Sequence, residues 1–152
     1  MFNRRSWLSA AAGAAVALVA VRPLAAYARP PQPILIYKSP TCGCCTKWVD
    51  HLVAAGFEPT VRDVPDVTPL KRELGLPLRL ASCHTAVVSG YVVEGHVPAD
   101  LVQRMVEEKP QALGLAVPGM PIGSPGMEGP NPERYQVLLV ARSGSTSVYA
   151  TR

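Results

Sequence analysis

Three cysteines stand within four residues, at Cys42, Cys44 and Cys45. They lie directly behind a short apolar run at residues 34–37 and directly ahead of a helical pattern. That placement constrains the chain more than any other feature it has. A loop this short staples almost nothing, because closing it removes little chain entropy. Joining the neighbours Cys44 and Cys45 would strain the backbone, so a comfortable disulfide within the cluster can form only between Cys42 and Cys45. Three thiols beside Gly43 also pack badly as core. The cluster therefore serves redox chemistry or metal binding.

The flanking residues supply the elements around it. The apolar positions Trp48, Val49, Leu52 and Val53 recur at helical spacing over residues 45–55, and Gly56 stops the helix. Residues 57–64 hold a short second strand. Thr68-Pro69 opens a second helix that runs to about residue 74, where Gly75 ends it. Residues 85–89 and 91–94 read as two strands closed by a Ser89-Gly90 turn. A third helix begins at Pro98-Ala99-Asp100 and runs through Glu108, with Leu101, Val102, Met105 and Val106 on its apolar face. Residues 112–132 are rich in Gly and Pro and repeat Pro-Gly-Met at 118–120 and 125–127; so long an irregular stretch in a compact domain is usually functional or mobile. Residues 135–141 and 147–150 form a last hairpin around Ser143-Gly144-Ser145. A strand that ends in C-x-x-C at the mouth of a helix is the thioredoxin arrangement, which sets the first thiol at the positive end of the helix dipole. The expected fold is α/β and thioredoxin-like, a mixed central sheet flanked by helices, with a C-terminal hairpin.

In such a fold the loop before the third strand faces the cysteine loop and usually carries a cis-proline. This chain has Ser82-Cys83-His84-Thr85 there, with no proline. A fourth thiol and an imidazole then point at the first cluster. Thiolates select Cu(I), Zn(II) or Fe–S clusters, and imidazole suits copper and zinc. The plainer alternative is a lone buried cysteine beside a satisfied histidine. Met120 and Met127 offer thioethers, soft ligands that survive in an oxidising compartment, although methionine also fills gaps in cores. His96 either joins the site or caps the third helix. His51 shares a helix face with Cys44 and reads as a surface histidine.

Residues 1–28 read as an export signal. Arg4-Arg5 precedes Ser6-Trp7-Leu8, an Ala-rich apolar run follows, and Ala26-Tyr27-Ala28 makes a small-x-small cleavage site. The paired arginines resemble a twin-arginine signal. The apolar run is short for a permanent span, so no membrane span is expected after cleavage, with an uncleaved tether as the alternative. Residues 29–33, with Pro30, Pro31 and Pro33, form a stiff leader, and residues 34–152 the metal-binding domain. The chain has 15 Lys and Arg against 11 Asp and Glu; the signal removes Arg4, Arg5 and Arg22 and no acid, leaving 12 against 11. That balance gives no electrostatic basis for binding nucleic acid.

C-G-C-C at 42–45, S-C-H-T-A at 82–86, G-Y-V-V-E-G-H-V-P at 90–98 and G-L-A-V-P-G-M-P-I-G-S-P-G-M-E at 114–128 resemble the CopG-type metal-binding proteins. That family was long catalogued as one of unknown function and is often encoded with bacterial copper-resistance systems. The resemblance covers about residues 33–150. It implies a thioredoxin-like fold, a periplasmic setting, copper binding through the cysteines and a part in copper resistance, with other periplasmic copper-handling proteins as partners. Cys42, Cys44, Cys45, Cys83 and His84 match as metal ligands, and His96, Met120 and Met127 match as candidates for additional ones. Four thiolates exceed what one Cu(I) needs, so several bridged ions are expected, with His84 closing the site and copper redox cycling as a conceivable activity. Two other classes compete. One is a thiol–disulfide oxidoreductase with Cys42 as nucleophile and Cys45 as resolving thiol. The other is an Fe–S carrier with four cysteine ligands.

Overall fold

The apolar run becomes strand β1 (Gln32–Lys38), in which Ile34 and Ile36 are buried on one face. This is a computed structural model describing residues 30–152, so the signal expected at 1–28 lies outside the described residues. β1 starts two residues earlier than expected, taking in the end of the proline leader. Gln32 and Pro33 pair with Phe57 and Glu58, while pairing with the strand on the other side begins only at Leu35. A proline is tolerated at such a strand start because one side of the ladder does not yet need its missing N–H.

Helix α1 (Gly43–Ala54) follows, with Cys42 as its N-cap and Cys44 and Cys45 in its first turn. Then come β2 (Phe57–Asp63), α2 (Thr68–Glu73), a 3-10 turn (Leu78–Leu80), β3 (His84–Val88) and β4 (Tyr91–Glu94). The chain ends with α3 (Ala99–Glu108), β5 (Gly114–Ala116), β6 (Gln136–Val140) and β7 (Thr146–Thr151). The β3–β4 hairpin turns at Ser89 and Gly90, both at positive φ, as a two-residue turn with native twist requires. Among the described residues, seven strands form one mixed sheet in the order β2-β1-β3-β4-β5-β6-β7. β1 runs parallel to β2 and antiparallel to β3, and β4 runs antiparallel to β3. With the connecting helices this is the thioredoxin-like order.

β5 differs from the irregular stretch expected over 112–132. Its Gly-Leu-Ala has no β-branched residue to signal a strand. A Cβ on Gly114 would lie 1.7 Å from the Val92 carbonyl oxygen, so only glycine lets β5 pair with β4. That pairing carries the sheet on to the β6–β7 hairpin.

Each sheet face has its own apolar layer. Trp48 and Leu52 of α1 and Leu101, Val102 and Met105 of α3 pack on Ile34, Ile36, Ala86, Val93 and Leu115. Leu76 and Leu80, after α2, cover Val92, Leu113, Ala116 and Val140 on the opposite face. Burial of this kind stabilises by roughly 25 cal/mol per Å² of apolar surface, and it holds the β1–α1 junction and the start of β3 edge to edge. No described helix is long and apolar enough to cross a membrane.

Candidate metal centre

Three backbone segments meet here. The β1–α1 junction presents Cys42, Cys44 and Cys45, the entry to β3 presents Cys83 and His84, and the β4–α3 connection presents His96. The sulfurs of Cys42, Cys44, Cys45 and Cys83 all lie within 4.8 Å of one another. A second group with the same spread joins Cys83 to His84 and His96. Cys83 belongs to both, so thiols and imidazoles form one continuous centre. His96, left open between site and helix cap, lies with Cys83 and His84. The helix cap falls to His51, whose Nε2 accepts the Ala99 N–H at the start of α3 at 3.0 Å.

Cys42 and Cys45 are joined in a disulfide, with Cys44 and Cys83 free. While that bond stands, these two residues offer no thiolate, and the ligand set is smaller than the four cysteines expected. Reduction returns both sulfurs to the centre, Cys42 at a helix N-terminus that favours its thiolate. Cys44 Sγ sits 3.5 Å from Cys42 Sγ and 4.0 Å from Met120 Sδ.

The imidazoles are fixed from behind. Nδ1 of His96 lies 2.7 Å from the Pro125 carbonyl oxygen. A carbonyl only accepts, so Nδ1 carries the proton and Nε2 turns its lone pair to Cys83 Sγ, 3.0 Å away. His84 is fully buried, its ring 4.3 Å from that of Trp48 and 5.0 Å from that of His96. Its Nδ1 lies 3.4 Å from Cys83 Sγ, and its buried Nε2 has no hydrogen-bond partner among the described residues.

Burial sets the protonation states. It drives the His84 pKa down to about 3, helped by the charge His96 takes on when protonated in acid and by Lys71. Burial likewise lowers His96 against the opposing pull of the Pro125 carbonyl. Both rings are therefore neutral near pH 7, the form in which imidazole binds metal. Burial and the neighbouring Cys44 raise the Cys83 thiol to about 11, so without a bound cation it stays protonated.

The Pro-Gly-Met stretch folds over this centre. Gly126, at φ +88°, lies against α1: a Cβ there would meet the Cys44 carbonyl oxygen at 2.6 Å and the Trp48 nitrogen at 3.0 Å. Besides the Pro125 tie, Ser82 Oγ donates to the Gly119 carbonyl. Met120, half exposed, stands at the rim beside Cys44. Met127 enters through its backbone instead, in turns with Ser124 and Gly123. Among the described residues its sulfur makes no contact of hydrogen-bond range with a thiol. The Pro125 carbonyl and the close approach of Gly126 escaped sequence reasoning; the repeated Pro-Gly-Met pattern was their only signal.

The donor set suits a soft or borderline metal: thiols, two neutral imidazoles and a thioether, with one buried ring nitrogen that has no partner among the described residues. A family model described as "Protein of unknown function, DUF411" matches residues 80–127, the stretch that carries Cys83, His84, His96, Met120 and Met127. Two solved structures, titled "Copper resistance protein copG- Form 2" and "Copper resistance protein copG- Form 1", are similar to this chain. Each has 44% sequence identity and a TM-score of 0.76, over 80% of this chain and 98% of the other. No curated protein matches.

Proposed function

Since the chain belongs to the family of the copper resistance protein CopG, we propose that it is a periplasmic copper-binding protein that contributes to copper resistance and holds Cu(I) at the thiol–imidazole centre. The observation that carries this reading is the shared position of Cys83, which places two neutral imidazoles against a cluster of thiols. Cysteine and histidine alone would also suit zinc, whereas the thioether of Met120 beside Cys44 is a soft ligand that suits copper. Cys44, Cys83, His84 and His96 are the ligands in the disulfide state, with Met120 at the mouth. Reduction adds Cys42 and Cys45 and raises the capacity above one ion.

Copper, when bound, supplies one-electron redox chemistry. The chain supplies a matching two-electron couple, because forming the Cys42–Cys45 bond releases two electrons and two protons. That is enough to turn two Cu(II) ions taken as substrate into Cu(I). Export to the periplasm follows from the expected signal at residues 1–28, and copper donors and acceptors there would be its partners.

A thiol–disulfide oxidoreductase remains the second reading, favoured by a disulfide at the N-terminus of α1. Against it, the facing loop carries Cys83 and His84 where a thioredoxin-like oxidoreductase has the cis-proline that keeps its two cysteines open to substrate. Anaerobic titration of the reduced protein with Cu(I) against a chromophoric chelator separates the two. Saturation above one copper per chain is expected. Stoichiometric zinc with negligible copper affinity, or reduction of a disulfide substrate at full rate with copper removed, would contradict the copper reading.

A further inference from the structure

Beneath the centre lies a buried ion pair to which the copper chemistry gives no part. Lys71 of α2 and Glu94 at the end of β4 are both almost wholly inaccessible, with Nζ 2.5 Å from Oε1. The same Oε1 accepts the backbone N–H of Ser82 at 2.5 Å. Oε2 accepts the Thr85 hydroxyl at 2.7 Å, and Lys71 also donates to that hydroxyl oxygen at 2.7 Å. One carboxylate therefore gathers an ammonium, a hydroxyl and a backbone amide.

The residues it gathers flank the ligands. Ser82 directly precedes Cys83, Thr85 directly follows His84, and Glu94 stands two residues before His96. Thr85 and Glu94 are also register partners across β3 and β4. A buried ion pair is seldom needed for stability, since apolar residues of similar volume often serve as well, and its best-attested use is to fix one arrangement. We propose that Lys71 and Glu94 are positioning residues for the metal centre, the Glu94 carboxylate clamping Ser82 and Thr85 so that Cys83 and His84 face His96.

Lys71 Nζ donates to both Glu94 Oε1 and Thr85 Oγ1, so it ties the carboxylate and the hydroxyl together. α2 is the element that brings this charge across the sheet. The clamp rests on the copper reading only for its purpose; its geometry stands in the metal-free protein.

The test compares the parent with the double variant Lys71→Met/Glu94→Leu, which replaces both charged side chains by apolar ones of similar volume. Three readouts follow: melting temperature, alkylation rate of Cys83 in the metal-free reduced protein, and Cu(I) affinity by chelator competition. A positioning role predicts a variant that still folds, with Cys83 alkylation faster and Cu(I) affinity weaker; its melting temperature falls because the Ser82 amide and the Thr85 hydroxyl lose their acceptor. The affinity loss should be roughly tenfold to a hundredfold, as for other partners that orient metal ligands. Glu94→Gln/Lys71→Met keeps one acceptor for Ser82 and should fall between; it also serves if the first variant fails to fold. A folded double variant with parent-like alkylation and Cu(I) affinity would reduce the pair to a structural filler and overturn the proposal. If the parent itself binds no Cu(I), the copper reading fails, while the alkylation comparison still decides the clamp.

Discussion

Gly126→Ala tests whether the Pro-Gly-Met stretch is a lid on the centre. The new Cβ would stand 2.6 Å from the Cys44 carbonyl oxygen, 3.0 Å from the Trp48 nitrogen and 3.3 Å from His96 Nδ1. The first two are backbone atoms of α1 and cannot turn aside, so the loop must withdraw. A residue with a Cβ held at φ +88° costs about 1–2 kcal/mol on its own. Losing the hydrogen bond from His96 to Pro125 adds about 1 kcal/mol. The sum, about 2–3 kcal/mol, corresponds to a fall of roughly 5–12 °C in Tm for a domain of this size. Thermal melting followed by circular dichroism measures that fall. Nitrogen-15 spectra of the histidine rings report whether His96 keeps its Nδ1 proton. A variant that melts within 1 or 2 °C of the parent (a shift of well under 1 kcal/mol), with an unchanged His96 tautomer, would refute the lid.

Other outcomes follow from the same geometry. Cys83→Ser removes the one ligand common to both groups, so Cu(I) affinity should fall at least about tenfold in a folded protein; parent-like binding would confine the site to the Cys42–Cys45 loop. The Cys83 thiol, raised from 9.0 to about 11, should show about a hundredfold less thiolate at pH 8 than an unperturbed thiol. Its alkylation rate should climb with pH until about 11, and a plateau near 9 would contradict the burial argument. His84 titrates at about 3 when folded and near 6.5 when unfolded, so the unfolded chain binds the extra proton between those values. Its contribution is present in full above pH 6.5 and lost as pH falls toward 3, a slope that His84→Phe should flatten in denaturant titrations of the metal-free protein.

Much of this was legible in the chain. The C-x-x-C spacing behind an apolar run located the β1–α1 junction, and the Cys83–His84 pair located the facing loop, because both depend on local order along a known type of sheet. The disulfide state of Cys42 and Cys45 was legible only as the one comfortable pairing, and spacing alone does not choose between bond and ligand. The roles of His51 and His96 were harder to assign. Each depends on which backbone group lies across a long sequence gap, Ala99 for His51 and Pro125 for His96. β5 stayed hidden because Gly114 is selected by the approach of β4, not by strand propensity. The Lys71–Glu94 pair was silent too, since a lysine on a short helix and a glutamate after two valines look like ordinary surface charges until the fold buries them.

The central claim is that copper sits where the thiols and the two histidines meet. X-ray absorption at the copper edge of the reduced, Cu(I)-loaded protein tests it directly, with the His84→Phe/His96→Phe variant as control. The account predicts a first shell dominated by sulfur with an imidazole contribution that disappears in the control. A shell of nitrogen and oxygen alone, or an imidazole signal that survives loss of both histidines, would contradict it.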